Sequence, residues 1–423
     1  MEENFLHYTW KYKLFSQQIL FTTNGEKIEL IKPGEHNHQS GPDFFNARLK
    51  IGGTDWTGNL EIHINSSDWN LHKHQFDKAY DNVILHVVYE HDEEVKNSLH
   101  KTIPTLELKG LIPLENFKKY EQLRRNEKGV PCGKQVATPP APLLHVWFER
   151  LVTERLEEKT TVLEEILEET KSDWEETFYR ALAKNFGFKT NALPFYLLAK
   201  SLPLKVLLKH ADDGVQTEAL LFGQAGFLQE HLSEKYAQKL QNEYEFLKNK
   251  YSLRPIQKTI WKTGRMRPAN LPAIRIAQFA ALVKNLNGLF SKVKEIENVN
   301  ELSEIFNSEP APFWKDHYSF VTNSLPRSKK LGHEAIENIA INTIVPLVFL
   351  YGKKTDNEKY FARAQEILEQ LQTENNVIVR EFNLLGLNSV TALESQAMIQ
   401  LKNNYCSKKA CLNCRIGYHI LST

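Results

Sequence analysis

The sequence predicts an α/β domain over residues 1–136 and an all-α domain over 143–423, on three observations. Short apolar runs of strand character follow a helical stretch and alternate with turn-rich pieces in the first part. The proline-rich ATPPAP of residues 137–142 then interrupts the chain as a hinge. Beyond it, apolar residues recur at helical spacing among many charged ones.

Residues 4–15 place Phe5, Tyr8, Tyr12 and Phe15 on one face of a short helix. Runs at Ile28–Ile31, Phe44–Ile51, Trp56–Ile64, Val83–Tyr89 and Thr105–Leu108 read as strands, with turn-rich pieces such as KPGEHNHQSGPD between them. Gly52-Gly53 is a tight link that makes a hairpin of the second and third runs. The segment SDWNLHKHQFDKAYDN, residues 67–82, reads as partly helical, with Ser67 or Asp68 as its N-cap. Leu85–Tyr89 is hydrophobic enough for a central strand. In the second domain Leu143–Glu169 forms a long helix with Leu144, Trp147, Leu151, Leu163, Ile166 and Leu167 on its apolar stripe. Further helical patterns lie near 173–186, 193–209, 215–222, 225–249, 270–285, 299–306, 333–351, 357–373 and 389–404, with no repeat of fixed period.

Length and composition bound the function classes. A chain of 423 residues suggests two or three domains, and 25% charged with 41% apolar residues is ordinary for a soluble globular protein. A formal net charge of +1 gives no global attraction to nucleic acid or to an anionic membrane, so any such affinity must come from local patches. The opening MEENFLHYTWKYKLF is too charged and aromatic for a signal peptide. The longest apolar run, Ile339–Tyr351, is interrupted by Asn342 and Pro346 and is too short to span a bilayer. The expectation is a cytoplasmic protein with no membrane partner; protein partners are not readable.

The chemistry concentrates in Ser40–His74. Nine of the fifteen histidines fall in the first hundred residues, four of them between Glu61 and His86. Asp43 heads the strand FFNARLKI, and Glu61 and His63 alternate with apolar Leu60, Ile62 and Ile64, so both point to one face. The hairpin would bring Asp43 and Glu61 together, two hard oxygen ligands for Mg²⁺ or Mn²⁺. Such an ion assists phosphodiester hydrolysis by activating water and stabilising the leaving oxygen. His72 and His74 follow. In an extended segment they share a face and would add nitrogen ligands; on a helix they diverge by about 200°.

These residues resemble the PD-(D/E)XK nuclease superfamily: Pro42-Asp43 matches its PD half, Glu61-Ile62-His63 stands where E-x-K would stand, and the helix–strands–helix–strand order is similar to its core. The resemblance implies a mixed sheet flanked by helices, metal ligation by Asp43 and Glu61, and help from a glutamate of the first helix, Glu3 being nearest. His63 occupies the lysine's place. An imidazole can take a proton near pH 7 or bind the ion, and Lys50 or Lys73 could stand in for the lysine. Gln75 and Tyr80 resemble the Q-x-x-x-Y helix of RecB-type nucleases with one residue too many between them.

Cys406, Cys411 and Cys414 lie within nine residues, a thiolate-rich metal pattern, with Cys132 the remaining cysteine to close it and His419 an alternative. The arrangement resembles that of RecB-type nucleases holding a [4Fe–4S] cluster, though here Cys132 follows the nuclease-like core. Zinc and an iron–sulfur cluster are both compatible with thiolates, and the site would clamp the two domains. The loop WKTGRMRP, with Arg265 and Arg267, then Asn270 as a helix cap and Arg275, suits phosphate contact, with Lys248, Lys250 and Arg254 upstream.

Taken whole, the chain resembles a bacterial family of unknown function, domain of unknown function 2851. The strings FLHYTWKYKLF, NHQSGPDFFNARL, GNLEIHINSSDWNLHKHQFDKAYDNVILHVVYEHD, TGRMRPANLPAIR and YCSKKACLNCRIGYHIL carry the likeness. That family implies no activity. The leading functional expectation is a metal-dependent nuclease acting on DNA or RNA through Asp43, Glu61 and His63. One alternative is an inactive nucleic-acid-binding or scaffold protein. The other is a zinc hydrolase built on Glu61, His63, His72 and His74.

Overall fold

The computed structural model describes all residues except 17, 18, 38, 127 and 128, so one position of the turn-rich segment before Asp43 lies outside the described residues. The chain divides into two compact units, Met1–Leu144 with Lys402–Thr423, and His145–Leu401. The terminal segment thus belongs to the first unit, not to the helical domain in which the sequence reading placed it. The expected hinge is not a free linker either: a 3₁₀ turn ends at Ala137, and a helix starts at Ala141 and runs to Glu169.

Unit 1 opens with α1 (Glu3–Lys11), whose first-turn Glu3 complements the helix dipole. Seven strands follow among the described residues: β1 (Leu20–Phe21), β2 (Lys27–Lys32), β3 (Glu35–His36), β4 (Phe44–Ile51), β5 (Thr54–Asn65), β6 (Val83–Glu90) and β7 (Thr105–Glu107). They form one mixed sheet in the order β1-β2-β4-β5-β6-β7, with β3 on β4. β2, β4 and β5 are antiparallel, while β6 runs parallel to β5 and β7 parallel to β6. Gly52 and Gly53, both at positive φ, make the two-residue turn between β4 and β5, as their spacing predicts. The one-turn α2 (Asp68–Leu71) lies in the crossover to β6, and α3 (Leu114–Arg125) closes the run. Ser67 adopts helical angles and does not cap α2; instead Asp68 accepts the Asn65 N–H.

One apolar core holds unit 1 together. Phe5, Leu6 and Trp10 of α1 join Phe44, Leu49, Leu60, Ile62, Leu85 and Val87 of the sheet, and Leu421 of the terminal helix Arg415–Ser422 is buried among them. At roughly 1.5–3 kcal/mol per fully buried large apolar side chain, that helix is integral to the unit. Gly417 shows how closely it docks: a Cβ there would stand 2.1 Å from the Cys411 carbonyl oxygen.

Unit 2 is helical, as the spacing predicts, but not all-α: His317–Ser319 and Thr322–Asn323 pair as a small antiparallel hairpin in a run of aromatic and β-branched residues. Some helix starts carry side-chain caps. Asp173 and Asp213 accept two backbone N–H groups each, and Thr391 with Glu394 forms a capping box. Pro203 splits the expected 193–209 helix in two. The apolar run around Pro346 belongs to a 23-residue helix, His333–Thr355, long and apolar enough to cross a membrane, yet 72% of its 18-residue apolar window is buried. Pro346 removes a backbone donor there, the helix widens to π geometry over Ala340–Ile344, and the Asn342 carbonyl accepts from Asn185 Nδ2 at 3.0 Å instead.

Glu218 is the buried carboxylate of this unit. Trp314 Nε1 donates to it at 2.9 Å and the Tyr236 hydroxyl at 3.1 Å, yet burial pushes its pKa up to about 7. A carboxyl raised in the folded state contributes most below its unfolded pKa of about 4.3 and loses that contribution as pH rises towards 7. Glu218→Gln should therefore flatten this fall: the melting temperature of wild type, measured from pH 4.5 to 7, declines relative to that of the variant.

Candidate metal centre

The centre starts from a register defect. Ala47 pairs with Gly58, but Phe44 pairs with Leu60, so β4 carries one residue more than β5 between these points. Asn46 takes up the excess at a φ of 55°. The bulge sets Asp43 across from Glu61; an unbroken ladder would have set it across from Ile62, which points to the other face. Two hydrogen bonds then join the strands: the Asp43 N–H donates to Glu61 Oε2 at 3.0 Å and the Ile62 N–H to Asp43 Oδ2 at 2.9 Å.

Around this pair stand five imidazoles. Glu61 Oε1 lies 3.5 Å from His63 Nε2 and 3.3 Å from His74 Nε2. His72 Nδ1 lies 3.1 Å from His63 Nε2. His63, His72 and His74 each present a nitrogen within 4.8 Å of the others, His63 and His74 buried and His72 exposed. Neither an extended segment nor a helix brings His72 and His74 together. Lys73 between them is left-handed, at φ 64° and ψ 27°, and reverses the chain between α2 and the 3₁₀ turn His74–Phe76. Trp69, fully buried with its Nε1–H on the Lys96 carbonyl, backs His74 and His86, and Tyr80 stacks on His74 at 3.8 Å.

His86 on β6 lies opposite Glu61, and its Nε2 is 2.9 Å from His63 Nδ1. If His63 Nε2 keeps its lone pair for a ligand, Nδ1 carries the proton and donates to His86. This is how an outer partner fixes the tautomer of a metal-binding histidine.

On the other side of Asp43, His7 Nε2 lies 3.1 Å from Asp43 Oδ2. Glu3, His7 and Asp43 form a second group with donor atoms within 4.8 Å of one another. Asp43 and Glu61 therefore face different partners, the first α1 and the second the imidazoles.

Burial dominates the electrostatics. It drives His63 down to about 2 with help from the neighbouring imidazoles, His86 down to about 3, and lowers His74. Glu61 is pushed up to about 9, by burial first and by Asp43 second. Burial opposes the charge on His7, but Asp43, Glu3 and Glu61 outweigh it and raise its pKa. Glu3 is raised by burial, against the pull of His7.

The other candidates divide. Lys50 pairs with Asp55 near the hairpin tip, about six residues or ~20 Å along the strand from Glu61, too far to replace a catalytic lysine. Lys73 is exposed. Gln75 turns back to the Asn70 carbonyl. Arg275 is 6% exposed, stacked over Phe188 and bonded to Gln278 and Asn270, so it is a core residue and not a phosphate contact. Asn270 serves Arg275 and does not cap the helix, which begins at Pro272. Trp261 is buried, its Nε1–H on the Ala225 carbonyl, while Arg265 and Arg267 are exposed. All four cysteines are free thiols and all belong to unit 1, so the expected clamp between two domains has no residues in the second one. Burial, with the neighbouring sulfurs second, pushes Cys132 up to about 12 and Cys411 up to about 11. Among the described residues the sulfurs do not form a group within 4.8 Å.

A family model described as protein of unknown function (DUF2851) matches residues 3–377. The chain belongs to this family. The matched span contains every residue of the histidine and carboxylate groups and Cys132, and stops before the other three cysteines. Comparison with curated proteins and with solved structures gives no match.

Sequence reasoning missed His7. Its signal was the i, i+4 spacing of Glu3 and His7, which puts both on one side of α1. Two outcomes test the geometry. His86→Ala should weaken binding of Zn²⁺ or Mn²⁺ by about 10–100-fold, the range for an outer partner, measured by calorimetric titration. Asn46→Val, a β-branched residue where φ is positive, should lose binding as well, whereas Asn46→Gly retains it.

Proposed function

We propose that unit 1 is a metal-dependent hydrolase whose ion is held by His63, His72 and His74 with Glu61, and that it acts on phosphodiesters of DNA or RNA. The observation that carries the reading is the chain of donor separations: 3.1 Å from His72 to His63, 3.5 Å from His63 to Glu61 and 3.3 Å from Glu61 to His74. A tetrahedral ion with ligands at about 2.0–2.1 Å has edges of about 3.4 Å, and the three separations support the reading by their closeness to that value. An imidazole-rich set favours Zn²⁺ or Mn²⁺ over Mg²⁺, a shift from the paired-carboxylate expectation. Burial keeps His63 and His74 neutral, as ligands must be, while Glu61, pushed up to about 9, would have to give up its proton as the ion enters.

A bound ion would supply Lewis-acid polarisation of a phosphoryl oxygen and a water of lowered pKa. The chain supplies the rest. His86 holds the His63 tautomer, Trp69 and Tyr80 wall the centre from water on the buried side, and the exposed His72 marks the side open to substrate. The phosphodiester class is supported by the likeness of Pro42-Asp43 and Glu61-x-His63 to the nuclease motif, and by a parallel β6 following an antiparallel β2-β4-β5. Unit 2, taken by itself, carries exposed Lys262, Arg265 and Arg267 on a loop tied to Asn191, a separate candidate phosphate contact. The four cysteines enter this reading only as expected ligands: to hold a structural zinc ion or [4Fe–4S] cluster their sulfurs would have to draw closer than they stand here. The alternative of a non-catalytic nucleic-acid-binding scaffold is favoured by the depth of the centre: Glu61 is 5% and His63 1% exposed.

Cleavage of labelled single- and double-stranded DNA and RNA with Zn²⁺, Mn²⁺ or EDTA decides between them. Hydrolysis should require the ion and fall by about 100-fold or more in His72→Ala, at or beyond the top of the range for an outer partner. Cutting that survives EDTA and the substitution overturns the proposal; metal binding with nucleic-acid binding and no cutting assigns the scaffold role.

A further inference from the structure

Glu3, His7 and Asp43 are left over by the centre described above. They come from two elements, one turn of α1 and the head of β4, and their donor atoms lie within 4.8 Å of one another. His7 Nε2 stands 3.1 Å from Asp43 Oδ2 and is itself buried without an aligned hydrogen-bond partner. Against the pull of burial, the two form an ion pair that raises the His7 pKa, and a cation entering between them would take the place of the shared proton, as metal binding at a protonated ligand set does. Asp43 is held in place by the Ile62 N–H, and α1 by Phe5, Leu6 and Trp10 in the core, so the group is fixed from both sides. This group differs chemically from its neighbour. It has two carboxylates and one imidazole against three imidazoles and one carboxylate, a harder set suited to Mn²⁺ or Mg²⁺.

The two groups adjoin through Glu61. Its Oε2 accepts the Asp43 N–H while its Oε1 faces His63 and His74. We propose that Glu3, His7 and Asp43 form a second cation site, so that unit 1 carries a dinuclear centre with one nitrogen-rich and one oxygen-rich position. The proposal rests on the hydrolase reading for the neighbouring site. Two ions about 3.5–4 Å apart clamp both the attacking and the leaving oxygen of an in-line displacement, which suits the phosphodiesters of the hydrolase reading.

Electron paramagnetic resonance of the full chain titrated with Mn²⁺ tests it, with ion stoichiometry from equilibrium dialysis. Mn²⁺ disfavours thiolate sites, so the cysteines do not add to the count. Wild type should bind two ions and show an exchange-coupled spectrum. His7→Ala and, separately, Glu3→Gln should bind one ion with an uncoupled six-line signal; the second variant guards against loss of folding in the first. One uncoupled ion in wild type, unchanged in both variants, overturns the second site and leaves the first. No bound Mn²⁺ in wild type overturns the oxygen-rich site, and a Zn²⁺ titration then decides the nitrogen-rich one separately.

Discussion

Two hydrogen bonds, from the Asp43 N–H to Glu61 and from the Ile62 N–H to Asp43, decide where every other group of the centre stands. Each carboxylate is fixed by the backbone next to the other, so neither can turn away without leaving a buried donor unpaired, at a cost of about 1–3 kcal/mol. They exist only because β4 carries an extra residue at Asn46. A bulge is a local loss of sheet regularity, and here it is what converts two ordinary strands into a facing pair of acids.

From that pair the polar interior grows by contact. Glu61 meets His63 and His74, His63 meets His72 and His86, and Trp69 and Tyr80 close the apolar wall behind them. Packing several imidazoles together with so little water forbids charging them, and the depressed pKa values of His63 and His86 express that. Such an arrangement is poor stabilisation for a fold that could have used leucines. Local disagreement with core-packing rules is what a functional site looks like in an otherwise consistent structure.

Much of this was legible in the chain. Alternation located β4, β5 and β6 nearly to the residue, Gly52-Gly53 fixed their turn, and the parity of Glu61 and His63 put them on one face. What could not be read were features set by neighbours rather than by pattern. Asn46 looks like any polar strand residue; only pairing shows that it is the extra one. His72 and His74 could be judged for strand or helix, but a left-handed lysine between them follows neither period. Arg275 reads as a phosphate ligand beside Arg265 and Arg267, yet the ring of Phe188 and the amide of Gln278 draw it inside. The cysteine-bearing tail follows a long helical stretch in sequence, and local pattern says nothing about which core Leu421 enters.

That tail has a consequence for how the molecule comes into being. Unit 1 is discontinuous: Leu421 and Tyr418, which pack with Phe5, Leu6 and Tyr12, are separated from them by the whole of unit 2. During synthesis the sheet of unit 1 precedes unit 2, and the helix that completes its core follows unit 2. That sheet must wait, with part of its apolar face bare, until residues 402–423 arrive. Contacts of such sequence separation close slowly, and an exposed core invites aggregation in the interval. The core that seats α1, and with it Glu3 and His7, therefore closes only once residues 402–423 have been made, long after the strands it covers.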